Sequence, residues 1–380
     1  MAFKTVSMVF TNDVVDGGED FTGQYCSLKY PGIAYYDLTG KGVDWEEGRL
    51  KYAEWNGSSW DIIVVDEEED RITGKYASLA YDRSGRPSIG YYCGAADKSD
   101  GVLKWAWDQN GDGDFEDSYG PENEFDEITT LADGSGHYGQ HVSHAIIGNS
   151  YYGFAFFEAT GGDLLYTVVD TAQMGVSGVD VDTTGCVGEW CSLHFDGYTA
   201  TVSYYDNTNN CLKFARDNGS SPWDCEVVDD GDGDDVGRFS SLDYDPWGNP
   251  SIAYYNVTDG DPMWARWDDE EEEWVCVHLI TTEENWGMDI SHQWYNMMGR
   301  VKCGFAFEAA EMVQGSPDSH LKFVRWTSEG QTTYTVDDRD DCGDYASMDW
   351  VSGDVWIAYR DFNNGEQRDD SDLRYAVGDD

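Results

Sequence analysis

Seven copies of one unit, four strand-length runs in each copy, and a spare run ahead of the first copy predict an all-β fold. The expected architecture is a seven-bladed β-propeller of four-stranded antiparallel blades, its ring closed by the N-terminal strand completing the last blade. The unit is clearest at Gly74-Lys-Tyr-Ala-Ser-Leu-Ala-Tyr-Asp-Arg-Ser-Gly-Arg-Pro-Ser-Ile-Gly-Tyr-Tyr92. Tyr76 to Tyr81 and Ser88 to Tyr92 are short apolar and aromatic runs, and the turn chemistry of Asp82 to Pro87 between them makes a tight hairpin.

The copies align on a central serine: Ser27, Ser78, Ser143, Ser192, Ser241, Ser291 and Ser347, spaced 49 to 65 residues apart. A third run follows each hairpin, as in Leu50-Lys-Tyr-Ala-Glu-Trp55 or Leu212-Lys-Phe-Ala215, and a fourth, as in Trp60-Asp-Ile-Ile-Val-Val65, usually closes the unit. The blades are expected at about 24–66, 75–132, 137–182, 188–229, 237–280, 286–337 and 344–377, in a single domain over 1–380. The chain ends after the third run of the last copy, and Lys4 to Phe10 (about 4–10) supplies the missing strand.

The pattern Tyr-x-Ser-Leu-x-Tyr-Asp, Gly-x-Pro-x-Ile-x-Tyr-Tyr, Leu-Lys-Tyr-Ala-x-Trp resembles the tandem repeats of secreted and cell-surface bacterial or archaeal seven-bladed propellers. That resemblance covers nearly the whole chain and implies the fold. It leaves function open, since such propellers serve as binding modules, assembly parts and enzymes. The Gly-His…Trp-Asp signature of WD repeats is absent, as is the Ser-x-Asp-x-Gly-x-x-Trp box of sialidases, and arginines are scarce.

With 75 acidic and 23 basic residues the net charge is -52, which calls for counterions, metals or a basic partner. Nucleic acid is excluded as a partner because lysine and arginine are concentrated nowhere. An aromatic content of 15% argues for a packed core instead of the disorder such charge would otherwise imply. No apolar run is long enough to insert in a membrane. The nine cysteines are an odd number without a Cys-x-x-Cys pair, so they cannot all pair within one chain. An extracellular or cell-surface setting follows from the resemblance, although no signal peptide is visible in Met1 to Phe10.

Blade topology puts the connections between blades on one face. Four of them are acid runs, Asp16 to Asp20, Asp66 to Asp70, Asp229 to Asp235 and Asp337 to Asp341. Second strands end on that face too, at Asp37, Glu158, Asp206 and Asp361, which suggests a ring of carboxylates at the channel mouth for a divalent cation or a basic ligand. The alternative is that these acids cap turns.

Two stretches suggest structural Ca2+. Asp108-Gln-Asn-Gly-Asp-Gly-Asp-Phe-Glu-Asp117 places Asp108, Asn110, Asp112 and Asp114 at alternate positions with Gly113 for the turn, and resembles the first half of an EF-hand loop. Its twelfth position is Tyr119 instead of glutamate, so a bidentate ligand falls to Asp117 or lies elsewhere. In blade five, Asp230, Asp232 and Asp234 enter beside Asp259 and Asp261 on the same face.

Blades three and six depart together. Ser143-His144 and Ser291-His292 replace Ser-Leu or Ser-Met, and their second strands read Gly-Phe-Ala-Phe. His137, His141 and His144 tempt a zinc reading that strand alternation weakens, which favours histidines hydrogen-bonded between blades. A catalytic set is not indicated: acids are too numerous for any pair to be informative, and no Gly-x-Ser-x-Gly motif occurs.

Turn tryptophans offer the better handle, above all Trp247 in Asp245-Pro-Trp-Gly-Asn-Pro250, while Trp55 and Trp60 read as a hairpin cap. The expected function is a non-enzymatic binding module for a glycan or protein partner on the acidic face, stabilised by calcium. The alternatives are a structural subunit of a surface assembly, for which an oligomer would be expected, and a polysaccharide-cleaving enzyme at the acidic channel mouth.

Overall fold

The computed structural model describes residues 8–17, 21–38, 47–111, 113–115, 128–134, 136–173, 175–280, 285–297, 299–313, 316–362 and 371–379. Their strands form seven antiparallel four-stranded sheets, one per expected blade. The first strand of each blade lines a central channel: Thr22–Lys29, Arg71–Tyr81, Gln140–Ile147, Val187–Asp196, Val236–Tyr244, Asn285–Met297 and Cys342–Val351.

Blade seven is completed from the other end of the chain. Val9–Asp16 pairs antiparallel with Asp372–Asp379, Val9 opposite Asp379 and Val14 opposite Arg374. The closing strand therefore lies later than the expected 4–10, of which residues 4–7 fall outside the described residues. An outermost strand has mostly exposed side chains, so Thr11, Asn12 and Asp13 suit it and the apolar run before them misplaced it.

Seven of the hydrophobic clusters each bridge two neighbouring blades, so the core is divided into wedges around the ring. Leu50, Tyr52 and Val65 of blade one, for example, pack on Leu79, Ile89 and Tyr91 of blade two. Phe115, in the connection that follows Trp107, is 2% exposed and reaches into that wedge against Tyr52.

The central serines form a belt. In every blade the serine Oγ accepts the backbone N–H of the residue after the serine in the next blade. Ser27 accepts Leu79, Ser78 His144, Ser143 Leu193, Ser192 Leu242, Ser241 His292, Ser291 Met348 and Ser347 Leu28, at 2.9–3.2 Å. Four residues before each serine stands a glycine with positive φ. At Gly74 (φ +106) a Cβ would sit 2.7 Å from the Leu50 backbone of the preceding blade, so only glycine lets the strands approach this closely.

A second belt joins outer strands to the next blade's second strand. The tyrosine hydroxyls of Tyr35, Tyr91, Tyr204, Tyr254 and Tyr359 donate to Asp16, Asp66, Asp182, Asp229 and Asp337. Lys51, Lys104 and Lys213 pair with the first three of these acids, and Arg339 with Asp337. Four of these acids head the acid runs between blades, so the start of each run is structural.

Blades three and six carry phenylalanine where the latch tyrosine would be, at Phe156 and Phe307. There a histidine joins the blades instead. Trp105 Nε1 donates to Ser88 Oγ (2.7 Å), which bonds His144 Nε2 (2.8 Å), while His144 Nδ1 donates to the Gly153 carbonyl (2.8 Å). In blade six Trp294 Nε1, from the histidine's own strand, donates to Ser251 Oγ (2.8 Å), which bonds His292 Nε2 (3.0 Å). Burial pushes both histidines down to about 4, which keeps them neutral.

Candidate functional site

The acids expected at the channel mouth are already engaged by their own chain. Asp37 is fully buried and bonded to Thr22 Oγ1 (2.8 Å), Arg49 Nε (2.8 Å) and Lys51 Nζ (2.9 Å). Asp361, equally buried, pairs with Arg339 at 3.0 Å. Asp206 caps a turn through the amides of Thr208 and Asn209, and Glu158 accepts the amides of His137, Thr160 and Gly161. Each carboxylate satisfies local backbone or cations, the turn-capping alternative raised from the sequence, and the buried Asp37 and Asp361 are not presented to a ligand.

Several of the calcium candidates serve local turns. Asp108 is 2% exposed and its two oxygens accept the amides of Gly111 (2.5 Å) and Gly113 (3.0 Å). Asn110 and Asp114 are exposed, while Asp112 and Asp117 lie outside the described residues. Asp230 caps a short 3-10 turn through the Asp232 amide, Asp234 closes that turn, Asp259 bonds Asn256 and buried Asp261 faces His278 at 3.3 Å. Among the described residues no three His, Cys, Asp or Glu side chains are grouped to hold a metal ion. The three histidines of blade three also diverge: His137 faces Tyr92, His141 the channel, and His144 Ser88.

Trp247 is 72% exposed at the turn between the first two strands of blade five, held there by Asp245, which accepts its amide at 2.8 Å. Its counterpart in blade four, Tyr198, is 82% exposed. The sequence reading passed over Tyr198, although an aromatic directly after Gly197 in a tight turn has no room to fold back into the sheet. Both turns lie on the face opposite the acid connections.

On that same face a groove of about 450 Å³ opens between blades four and five. Trp267 and Trp274 form its blade-five wall, edge to face at 5.7 Å, and Trp274 packs on Phe214 of blade four at 5.5 Å. Across from them stand Arg216, Asp224 and Glu226. Arg216 is ion-paired with Asp196, Asp224 accepts from Asn218 (2.7 Å) and Glu226 accepts Trp274 Nε1 (3.0 Å). Aromatic surface, one guanidinium and two carboxylates thus converge in a space of ligand size. The polar counterparts of Trp267 and Trp274 belong to the neighbouring repeat, which local pattern could not join to them.

The channel itself widens to about 200 Å³, lined by two residues from every blade. Tyr25, Tyr76, His141, Trp190, Phe239 and Tyr345 supply an aromatic side chain at one equivalent position, and Asp289 of blade six takes the seventh place. All seven have positive φ, between 48° and 55°, as the bulge at this point in each first strand requires.

No family model and no curated protein matches the sequence. A fungal alcohol oxidase of the AA5 family, in complex with copper, aligns over 99% of this chain and 76% of its own at 10% identity and a TM-score of 0.56. The intramolecular trans-sialidase of Ruminococcus gnavus aligns over 96% of both chains at 12% identity (TM-score 0.49). The Aleuria aurantia lectin AAL, in complex with Fucα1-6GlcNAc, aligns over 86% of this chain and 99% of its own at 12% identity (TM-score 0.46). At these identities the similarity is one of propeller fold, and the chain is a seven-bladed β-propeller.

Proposed function

We propose that this protein is a glycan-binding module and that the groove between blades four and five holds the sugar. The observation that carries the reading is the pairing of Trp267 and Trp274 with Arg216, Asp224 and Glu226 in one open cleft. Indole faces and edges cover the C–H surface of a pyranose, while the guanidinium and carboxylates exchange hydrogen bonds with its hydroxyls. Exposed Tyr198 and Trp247, in turns of the same two blades and on the same face, would extend the contact surface beyond a single sugar ring. A chain of net charge -52 repels anions, so neutral glycans are the favoured class.

Calcium and an extracellular or cell-surface setting, both expected from the sequence, are carried with this proposal. Quenching of tryptophan fluorescence by neutral oligosaccharides, measured with calcium and with chelator, tests the reading. Trp274→Ala is expected to weaken binding by about tenfold or more, as the loss of a central aromatic anchor does. Unchanged binding in that variant, or no binding by the folded parent to any neutral glycan, would overturn it.

A further inference from the structure

Each blade ends in an outer strand with no further strand beside it in its sheet, and such an edge invites another chain unless charge, proline or cover guards it. In blades one, four, five and seven an exposed acid stands on that strand, Asp61, Glu226, Glu273 and Asp13 respectively. The outer strands of blades two and six, Ile128–Ala132 and Gly330–Asp337, carry no exposed large apolar side chain. Blade three differs from all of these. Its outer strand, Gly175–Asp182, begins Gly-Val-Ser-Gly-Val, a run without charge or proline that exposes Val176 (45%) and Val179 (37%).

Gly175 to Val179 pair inward with Val169, Asp170 and their neighbours on Asp163–Asp170, and among the described residues no hydrogen bond reaches their outward edge. Beyond them blade four closes the edge: the Asp180 carbonyl accepts Ser221 Oγ (2.8 Å) and the Val181 carbonyl accepts the Trp223 amide (3.2 Å). Beside the open stretch lies a groove of about 410 Å³ between blades two and three, lined by Leu131 of blade two and by Tyr138, Phe156, Leu165 and Val176 of blade three. Gly178, on the same wall, has no side chain to fill it. A strand laid along this edge would set every second side chain over the groove.

Acids stand at both ends of the neutral run. Asp170 lies opposite Gly175 in the ladder, and at the other end Asp163, Asp180 and Asp182 gather with Glu158. Among the described residues a basic side chain pairs with one of these four, Lys213 with Asp182. Partial burial and the other three carboxylates push Asp163 up, as expected where negative charge is under-neutralised.

We propose that the edge of blade three takes an extended peptide of another protein as a fifth strand, with alternating apolar residues in its middle and a lysine or arginine toward each end. Its backbone would continue the ladder along Gly175 to Val179, its apolar side chains would cover the groove, and its basic ends would meet the acids. A second copy of this chain would bring a net charge of -52 against -52, so charge complementarity favours a basic partner.

The probe is a fluorescently labelled peptide with blocked ends, Lys-Val-Thr-Val-Thr-Val-Lys, titrated with the full chain and read by anisotropy at a salt concentration of about 0.5 M to suppress long-range attraction. It is expected to bind with a dissociation constant on the order of 0.1 mM or tighter. The same peptide N-methylated at two consecutive central residues keeps its charge but loses a hydrogen-bond donor on each edge, and is expected to bind at least about tenfold more weakly. Val176→Lys, which places a charge on the edge, is expected to lower affinity by about tenfold or more. Val9→Lys adds the same charge to the outer strand of blade seven and is expected to leave affinity unchanged.

Equal binding of the two peptides, no binding of the unmethylated one, or a loss in Val176→Lys no larger than that in Val9→Lys would overturn the proposal. So would a dimer of the parent in sedimentation that Val176→Lys dissolves, because the edge would then belong to a second copy. The comparison of the two peptides on the parent protein decides the matter even if Val176→Lys does not fold.

Discussion

Ser78 Oγ holds the His144 amide of the next blade at 2.9 Å, and its six counterparts do the same around the ring. Ser78→Ala leaves a partly buried N–H without its acceptor and is expected to cost about 1–3 kcal/mol, measured by denaturant unfolding. The repeat made these serines legible as markers. Their bond to the neighbouring blade was not legible, because a single strand does not reveal what lies beside it.

Asp289 was equally hidden, since one more acid among 75 carries no signal until its six aromatic counterparts are aligned with it. Burial raises its carboxyl to about 7, opposed by the Tyr345 amide and reinforced by nearby Asp344. Glu308, raised by burial and by Asp344 to about 8, adds to the same acidic cluster, and Arg360 pairs with Asp344. A folded-state value above the unfolded one means that the native chain retains a proton the unfolded chain has lost. The contribution of Asp289 to stability therefore declines as pH rises from about 4 through about 7. Asp289→Asn removes that decline, so its melting temperature is expected to gain on the parent's between pH values of about 4 and 8. A gap that stays constant or narrows with rising pH would count against this account of the buried carboxyl.

At the scale of the strand, blades three and six exchange two features together. Where five blades use Leu or Met after the serine and Tyr in the second strand, these two use His and Phe, and the hydrogen bond between blades moves from Tyr–Asp to His–Ser. The sequence showed the paired departure, and strand alternation pointed to bonds between blades over zinc. It did not show that one substitution replaces the function of the other. His144→Leu is expected to cost about 1–3 kcal/mol, because Ser88 and the Gly153 carbonyl lose partners. Tyr91→Phe removes a hydrogen bond to a charged acid and is expected to cost about 1.5–3 kcal/mol, with Lys104 still holding Asp66. Both values are read from chemical denaturation, and neutrality of either variant would mean that the corresponding interface does not depend on its latch.

The misplaced closing strand has a different cause. Apolar alternation marks strands with a buried face, and Val9–Asp16 lies at the outer edge of its sheet, where Thr, Asn and Asp are tolerated. The partners of the strand-end acids were hidden for a related reason. Asp37 and Asp361 look solvent-facing at the ends of runs, yet the propeller folds each against an arginine contributed from elsewhere in the chain.

For the molecule as a whole, repetition made the architecture legible: a period near 50 residues with four runs per period admits few alternatives to a closed ring. The candidate site was legible only in fragments, because the groove assembles Arg216, Asp224 and Glu226 from one repeat with Trp267 and Trp274 from the next. The same ring divides polar tasks by face. Acid connections tie outer strands to neighbouring blades on one side, and the exposed aromatics of blades four and five gather with the groove on the other.

The most direct test of that division is a broad glycan array probed with the parent protein, Trp274→Ala and Asp289→Asn in parallel, each confirmed to be folded. The account predicts that the parent binds a related set of neutral glycans, that Trp274→Ala loses them, and that Asp289→Asn keeps them. A silent parent, or binding that survives Trp274→Ala, would contradict it.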